Sequence, residues 1–267
     1  MSASADNRDW AIVLGASSGF GGACALALAE KGLNIAGVHL DRRATLANAE
    51  AISAKIEAAG VKALFFNTNA ADDAKRANIL DSLKENLSAG GSVKVLVHSL
   101  AFGTLKAYIP EDPKDSLTQV QMDMTLHVMA NTLVYWLQDL VYRDMMRDGG
   151  RVYALTSAGS HRVVPTYGAV SAAKAALESH VRQLAMELGG RGITVNAIRA
   201  GITDTPALRK IPGHEDLIAG ATAGNPSGRM TTPEDVAAAI AMLATGPTRW
   251  ITGDVIGVDG GEDISGF

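Results

Sequence analysis

Ser157, Tyr167 and Lys174 put a hydroxyl, a phenol and an amine into one stretch of chain, SAGSHRVVPTYGAVSAAKAALE. A phenol donates a hydrogen bond or a proton to an oxygen on which negative charge develops, and a nearby ammonium adds positive potential. From Tyr167 onward, Val170, Ala173, Leu177, Val181, Leu184 and Leu188 recur at spacings of three and four, which predicts a helix with that stripe against a core. At about 100° per residue, positions seven apart stay within about 40° of one another, so Tyr167 and Lys174 share a face. They stand about 10.5 Å apart along the axis, against about 6 Å for residues four apart. Ser157, at the end of a β-rich run, is placed to donate a second hydrogen bond, with a plain strand-end cap as its other reading. The bland readings of the other two are a half-buried aromatic and a solvated helix lysine.

A second constellation lies near the N-terminus. The run AIVL leads into Gly15-Ala16-Ser17-Ser18-Gly19-Phe20-Gly21-Gly22 and then into the helical pattern ACALALAEKG. Glycines between a strand and a helix allow a tight turn and close backbone approach, and the helix start offers free N–H groups to a pyrophosphate. Gly15, Ser17, Ser18, Gly19, Phe20 and Gly21 are therefore the candidate cradle of a dinucleotide, with a simple chain reversal as the alternative. About 20 residues further on, where such proteins read the adenosine ribose, the chain has His39, Asp41, Arg42 and Arg43. A carboxylate there accepts from the 2′-hydroxyl of NAD, whereas guanidinium groups pair with the 2′-phosphate of NADP. Two arginines favour NADP(H), and Asp41 keeps NAD(H) open.

The elements that must hold these groups are legible in the hydrophobic rhythm. Short, nearly continuous apolar runs (AIVL at 11, NIAGVHL at 34, VKALFF at 61, VKVLVHS at 93, RVYALTS at 151, ITVNAI at 193, DVIGVD at 254) alternate with helical patterns. Such runs are strands covered on both faces, so the expected fold is α/β: a single doubly wound Rossmann domain over 1–267 with a seven-stranded parallel sheet. A composition of 47% hydrophobic and 5% aromatic residues with 28 glycines suits that interior. The formal net charge of -4 gives no basic footprint for nucleic acid. No apolar run approaches the roughly 18 residues of a membrane span, and the charged start MSASADNRDW is no leader, so a cytoplasmic protein is expected. Cys24, the one cysteine, reads as a buried thiol in a reducing compartment, and the six scattered histidines predict no metal. Between Arg199 and Thr232 a stretch rich in Gly and Pro is too long for a simple connection and reads as a lid or a disordered loop.

Taken with ITVNAIRAG at the sixth strand and VDGG at 258, the GxxxGxG turn and the Ser157, Tyr167 and Lys174 set resemble the short-chain dehydrogenase/reductase family over almost the whole chain. The usual member has Tyr four residues before Lys, a position held here by Val170. Tyr-x6-Lys resembles instead the bacterial enoyl-acyl-carrier-protein reductases, a branch of the same superfamily. VHSLAF at 97–102 is similar to the segment those enzymes have after the fourth strand, and Ala200-Gly201 replaces the common Pro-Gly. With Ser157 where many enoyl reductases have a further Tyr, the combination most resembles their NADPH-dependent subgroup.

The resemblance implies hydride transfer from NADPH to an enoyl thioester of fatty acid biosynthesis, carried on a small molecule or a carrier protein. It implies that Lys174 holds the nicotinamide ribose, that Asn69 and Ala101 line the adenine and ribose, and that Ile202 and Thr205 bind the carboxamide. The catalytic Asn of the family would align near Met129 and not at Asn131, which puts the usual proton relay in doubt. An amphipathic run with Leu208, Ile211 and Leu217 would form a substrate lid within about 202–230, with an ordinary surface helix as the alternative. A homotetramer is implied, with helices around 114–146 and 166–188 at the interfaces. Physical reasoning agrees on the tyrosine: conjugate reduction puts charge on an oxygen beyond the carbon that receives hydride, so a displaced phenol suits an enolate. The competing readings are a ketoreductase or alcohol dehydrogenase, and a non-catalytic dinucleotide sensor.

Overall fold

The seven apolar runs form seven parallel strands: β1 (Trp10–Leu14), β2 (Asn34–His39), β3 (Ala63–Asn67), β4 (Val93–His98), β5 (Arg151–Ser157), β6 (Thr194–Ala200) and β7 (Val255–Val258). Their order in the sheet of this computed structural model is β3-β2-β1-β4-β5-β6-β7, and the structure describes residues 8–265. Residues 1–7, most of the charged start, and 266–267 lie outside the described residues. The strand order reverses between β1 and β4, and at such a switch point the crossover loops separate and leave a crevice beyond the carboxyl ends of the strands. All the sequence candidates lie at or beyond that edge.

The strands are apolar on both sides because helices cover both faces. On one face α1 (Gly19–Glu30), α2 (Leu46–Ala58) and α8 (Pro233–Thr245) bury Cys24, Leu28, Ile56, Val236 and Ile240 against Val13, Ile35, Val97 and Ile198. On the other, α3 (Asp73–Asn86), α5 (Thr132–Tyr142) and α6 (Gly168–Leu188) bury Leu80, Trp136, Leu177, Val181 and Leu184 against Ile12, Leu96 and Val152. Each fully buried aliphatic side chain is worth about 1.5–3 kcal/mol, so Leu177→Ala would cost about 2–5 kcal/mol once the cavity is included. The Cys24 thiol is wholly enclosed, and burial pushes its pKa up to about 12.

Local chemistry sets the helix starts. Asp72 accepts from the Lys75 backbone at the head of α3, and Thr232 and Asp235 form a reciprocal cap on α8 with Pro233 in its first turn. The helix expected over 114–146 is shorter and broken. It runs as α4 (Gln119–Leu126), a π-helical turn (His127–Asn131) and then α5. The long connection after β6 is not structureless: it holds a 3-10 turn (Leu208–Lys210) and α7 (His214–Gly224). No helix among the described residues is long and apolar enough to cross a membrane.

Candidate active site

The glycine turn joins β1 to α1 at the switch point. Gly15 has φ +90 and Gly19 φ +52, conformations that glycine adopts without penalty. A Cβ on Gly15 would run into the Ser99 carbonyl just after β4, and one on Gly21 into the Gly15 carbonyl. The turn is further pinned by Gly15 and Ala16 N–H groups donating to the Val38 carbonyl at 2.8 and 3.1 Å. Ser18 is the N-cap of α1, and its side chain makes no capping hydrogen bond. At Gly15 and Gly21 only glycine fits, and the backbone cradle they shape fits a pyrophosphate held at a helix N-terminus.

At the tip of β2 His39 is buried, and its Nδ1 meets Asp41 Oδ2 at 2.8 Å. Burial raises the Asp41 pKa, but hydrogen bonds from Thr45, Ser17 and His39 outweigh it and hold the carboxyl below its ordinary range. Asp41 is thus a fixed carboxylate facing the glycine turn through Ser17, while Arg42 and Arg43 are exposed. Asn67, which the sequence did not single out, brackets this tip: it accepts from the Asp41 N–H at 2.9 Å and donates to the Asp41 carbonyl at 3.0 Å. Asn69 is exposed after β3, and its Oδ1 accepts from Ala71 N–H at 3.0 Å. Ala101 is exposed in the loop after β4.

Tyr167 caps the start of α6, and Lys174 lies on the buried stripe of the same helix at 6% exposure, so it is not the solvated lysine of the bland reading. Its Nζ donates to the Leu155 carbonyl at 2.6 Å. Burial lowers the amine to about 8, against an upward pull from Glu178. Tyr167 packs, alongside Leu105 and Leu126, against a small buried cluster of Met129, Val170 and Ala173 that is separate from the two main cores. Its ring also covers Gly159, where a Cβ would stand 2.6 Å from the ring and 3.2 Å from Ser157 Oγ. Burial raises the phenol's pKa and the Ser157 hydroxyl opposes it, although Ser157 Oγ completes no hydrogen bond of ordinary geometry within the protein. Immediately before Tyr167, Thr166 sits at φ +63, and a non-glycine residue held there stores roughly 1–3 kcal/mol of strain. An orphaned buried hydroxyl and a strained neighbour are features of a site built for something outside the chain.

Met129, near which the family's catalytic Asn would align, is 3% exposed in the π-helical turn. Asn131 turns away, and its Oδ1 accepts from His180 Nε2 at 3.1 Å. Beyond β6, Thr205 is buried, accepts from the Leu208 N–H at 3.2 Å, and lies 3.5 Å from where a Cβ on Gly19 would stand. The start of the 202–230 segment therefore meets the glycine turn. The Ile202 N–H is already committed: both oxygens of Glu262 accept from it, at 3.1 and 3.0 Å. Leu208 is buried, while Ile211 and Leu217 are half-buried.

A family model described as enoyl-(acyl carrier protein) reductase matches residues 15–262. The chain belongs to that family. This makes it an NAD(P)-dependent short-chain oxidoreductase with a nicotinamide dinucleotide as cofactor. The enoyl-[acyl-carrier-protein] reductase [NADH] of Rickettsia felis is 34% identical over 194 residues, 71% of this chain and 70% of the relative. The 1-cyclohexenylcarbonyl-CoA reductase of Streptomyces collinus is 30% identical over 262 residues, 97% of this chain and 89% of the relative. The solved enoyl-[acyl-carrier-protein] reductase (NADH) of Aquifex aeolicus superposes with a TM-score of 0.83 at 26% identity, covering 98% of this chain and 99% of that one.

Within this enoyl reductase family member the sequence missed several supports: Ser99 and Asn67 around the dinucleotide cradle, Gly159 and Thr166 around the phenol, and Glu262 on the Ile202 N–H. Only Gly159 carried a signal, a glycine two residues after Ser157. Ser99, Asn67 and Glu262 reach their partners from positions distant in sequence, and Thr166 acts through a backbone conformation that its residue type does not announce.

Proposed function

We propose that this protein reduces the α,β double bond of an enoyl thioester. The observation that carries the reading is the phenol's place: Tyr167 heads α6 beside Ser157, seven residues before Lys174, while the position one turn before the lysine is Val170, buried and without a hydroxyl. When bound, the dinucleotide supplies a hydride to the substrate's β-carbon. Tyr167 then donates to the thioester oxygen, where the negative charge appears. A preorganised donor of this kind is worth about 3 kcal/mol. Its raised pKa keeps the phenol protonated and able to donate. Ser157, whose Oγ completes no hydrogen bond of ordinary geometry within the protein, gives a second hydrogen bond. Lys174 holds the nicotinamide ribose and adds positive potential, and the apolar wall of Leu105, Leu126 and Met129 keeps water from the acyl group. Asn69, Ala101, Ile202 and Thr205 line the coenzyme, and 202–230 closes over the acyl chain. The protein works in the cytoplasm as a homotetramer.

Exposed Arg42 and Arg43 favour NADPH. A second reading, NADH, is favoured by the fixed Asp41 carboxylate and by the NADH named in the R. felis and A. aeolicus enzymes.

The test is coenzyme oxidation on crotonyl and acetoacetyl thioesters, with NADPH and NADH in parallel. Turnover of the crotonyl substrate, reduced about a hundredfold in Tyr167→Phe, is expected. Turnover of the acetoacetyl substrate alone would make the protein a ketoreductase, and dinucleotide binding without Tyr167-dependent turnover would make it a sensor.

A further inference from the structure

Behind the phenol, α6 sends two charged side chains to the same strand. Lys174 Nζ donates to the Leu155 carbonyl at 2.6 Å, and one residue along β5 Thr156 Oγ1 donates to Glu178 Oε1 at 2.7 Å. Glu178 follows Lys174 by four residues, so the two lie on one face of α6 about 6 Å apart along its axis. Thr156 is buried at 4% exposure and Lys174 at 6%, while Glu178 is half-buried, so the ammonium itself is held in a poorly solvated place. The titratable groups around the ammonium are few. From β4 comes His98, wholly buried, with Nε2 at 2.7 Å from Thr132 Oγ1 and Nδ1 without a partner. Burial, and then the Lys174 charge, drive its pKa down to about 3, so it stays neutral. On α6 itself stand Tyr167, a protonated phenol, and Glu178. The first turn of α5 presents Thr132, and β5 offers the Leu155 carbonyl and Thr156, none of which titrates. Glu178 is therefore the counter-charge.

We propose that Glu178 is a positioning residue for Lys174: clamped by Thr156, its carboxylate keeps the buried ammonium charged and aimed at the end of β5 where the site opens. The physical reason is desolvation. An ammonium taken out of water with no opposite charge nearby gives up its proton, and a carboxylate one helical turn away offsets that tendency. The proposal rests on Lys174 belonging to the reactive site, as set out above, but not on which thioester is reduced.

Nuclear magnetic resonance of protein carrying isotope-labelled lysine follows the Lys174 titration directly in the wild type, Glu178→Gln, Glu178→Asp and Thr156→Val. In Glu178→Gln the midpoint should fall by about one pH unit or more. Thr156→Val should give a smaller fall because the carboxylate is freed rather than lost, and Glu178→Asp should restore part of the wild-type value. The alkaline limb of kcat/KM should move with the midpoint, which a purely structural role for Glu178 would not produce. A midpoint unmoved in Glu178→Gln overturns the proposal. Should that variant not fold, an unmoved midpoint in Thr156→Val overturns it equally. A wild type that turns over no enoyl thioester, with the Lys174 midpoint still falling in Glu178→Gln, would end the functional reading and leave this coupling standing, and the opposite pattern would end the coupling alone.

Discussion

Burial lowers the Lys174 amine from 10.5 to about 8, with Glu178 pulling the other way, and this has a consequence for stability as well as for chemistry. Between those two values the unfolded chain binds the proton and the folded chain does not, so stability from this group rises with pH through the window and is lowest below pH 8. Relative to Lys174→Met, the wild type should gain up to about 3 kcal/mol of unfolding free energy between pH 8 and pH 10.5. Denaturant titrations of the two proteins across that range measure the difference, and parallel curves would remove the depressed amine from the account. With Lys174 in the role proposed above, activity runs the other way: it draws on the charged form and should fall above pH 8. Tyr167 moves oppositely: its raised pKa leaves it a proton donor throughout this range.

The turn between β1 and α1 makes a sharp demand on residue type. A methyl on Gly21 would strike the Gly15 carbonyl, forcing the helix start away from the strand end. Gly32, by contrast, has a positive φ of +87 and faces open space. Gly21→Ala should therefore lose at least tenfold in dinucleotide affinity and about 1–3 kcal/mol in stability, whereas Gly32→Ala should lose about 1–2 kcal/mol and bind normally. Coenzyme fluorescence with thermal melts separates the two, and normal binding by Gly21→Ala would exclude the cradle. This turn was legible in the sequence, as were all seven strands, because doubly covered strands are continuously apolar. The helix that carries Tyr167 and Lys174 was legible from its stripe. The π-helical turn at 127–131 was not, since its apolar residues fit an unbroken helix as well as a broken one. Nor was the left-handed Thr166, a residue type that rarely adopts that conformation, or the Glu262 contact to Ile202, which joins groups sixty residues apart.

Over the whole molecule, the outer sides of α5 and α6 leave a hollow of about 340 Å³ lined by Val134, Leu137, Val141, Tyr142, Leu184 and Leu188 among others. Tyr142 is 78% exposed there, an unusual place for an aromatic on a surface that stays wet. Sedimentation should show a tetramer, and Tyr142→Glu should yield smaller species that keep the wild-type melting profile when diluted. A monomeric wild type would overturn the proposed assembly.

The single cysteine gives the molecule a built-in reporter. Cys24 is sealed between α1 and the sheet with its thiol driven far from the nucleophilic form, so alkylating agents find nothing to attack while the domain is closed. Each labelled chain then records one excursion in which that helix lifted from its bed. The rate of labelling counts those openings without any engineered probe, and coenzyme bound at the proposed cradle on the leading end of that helix should slow the count.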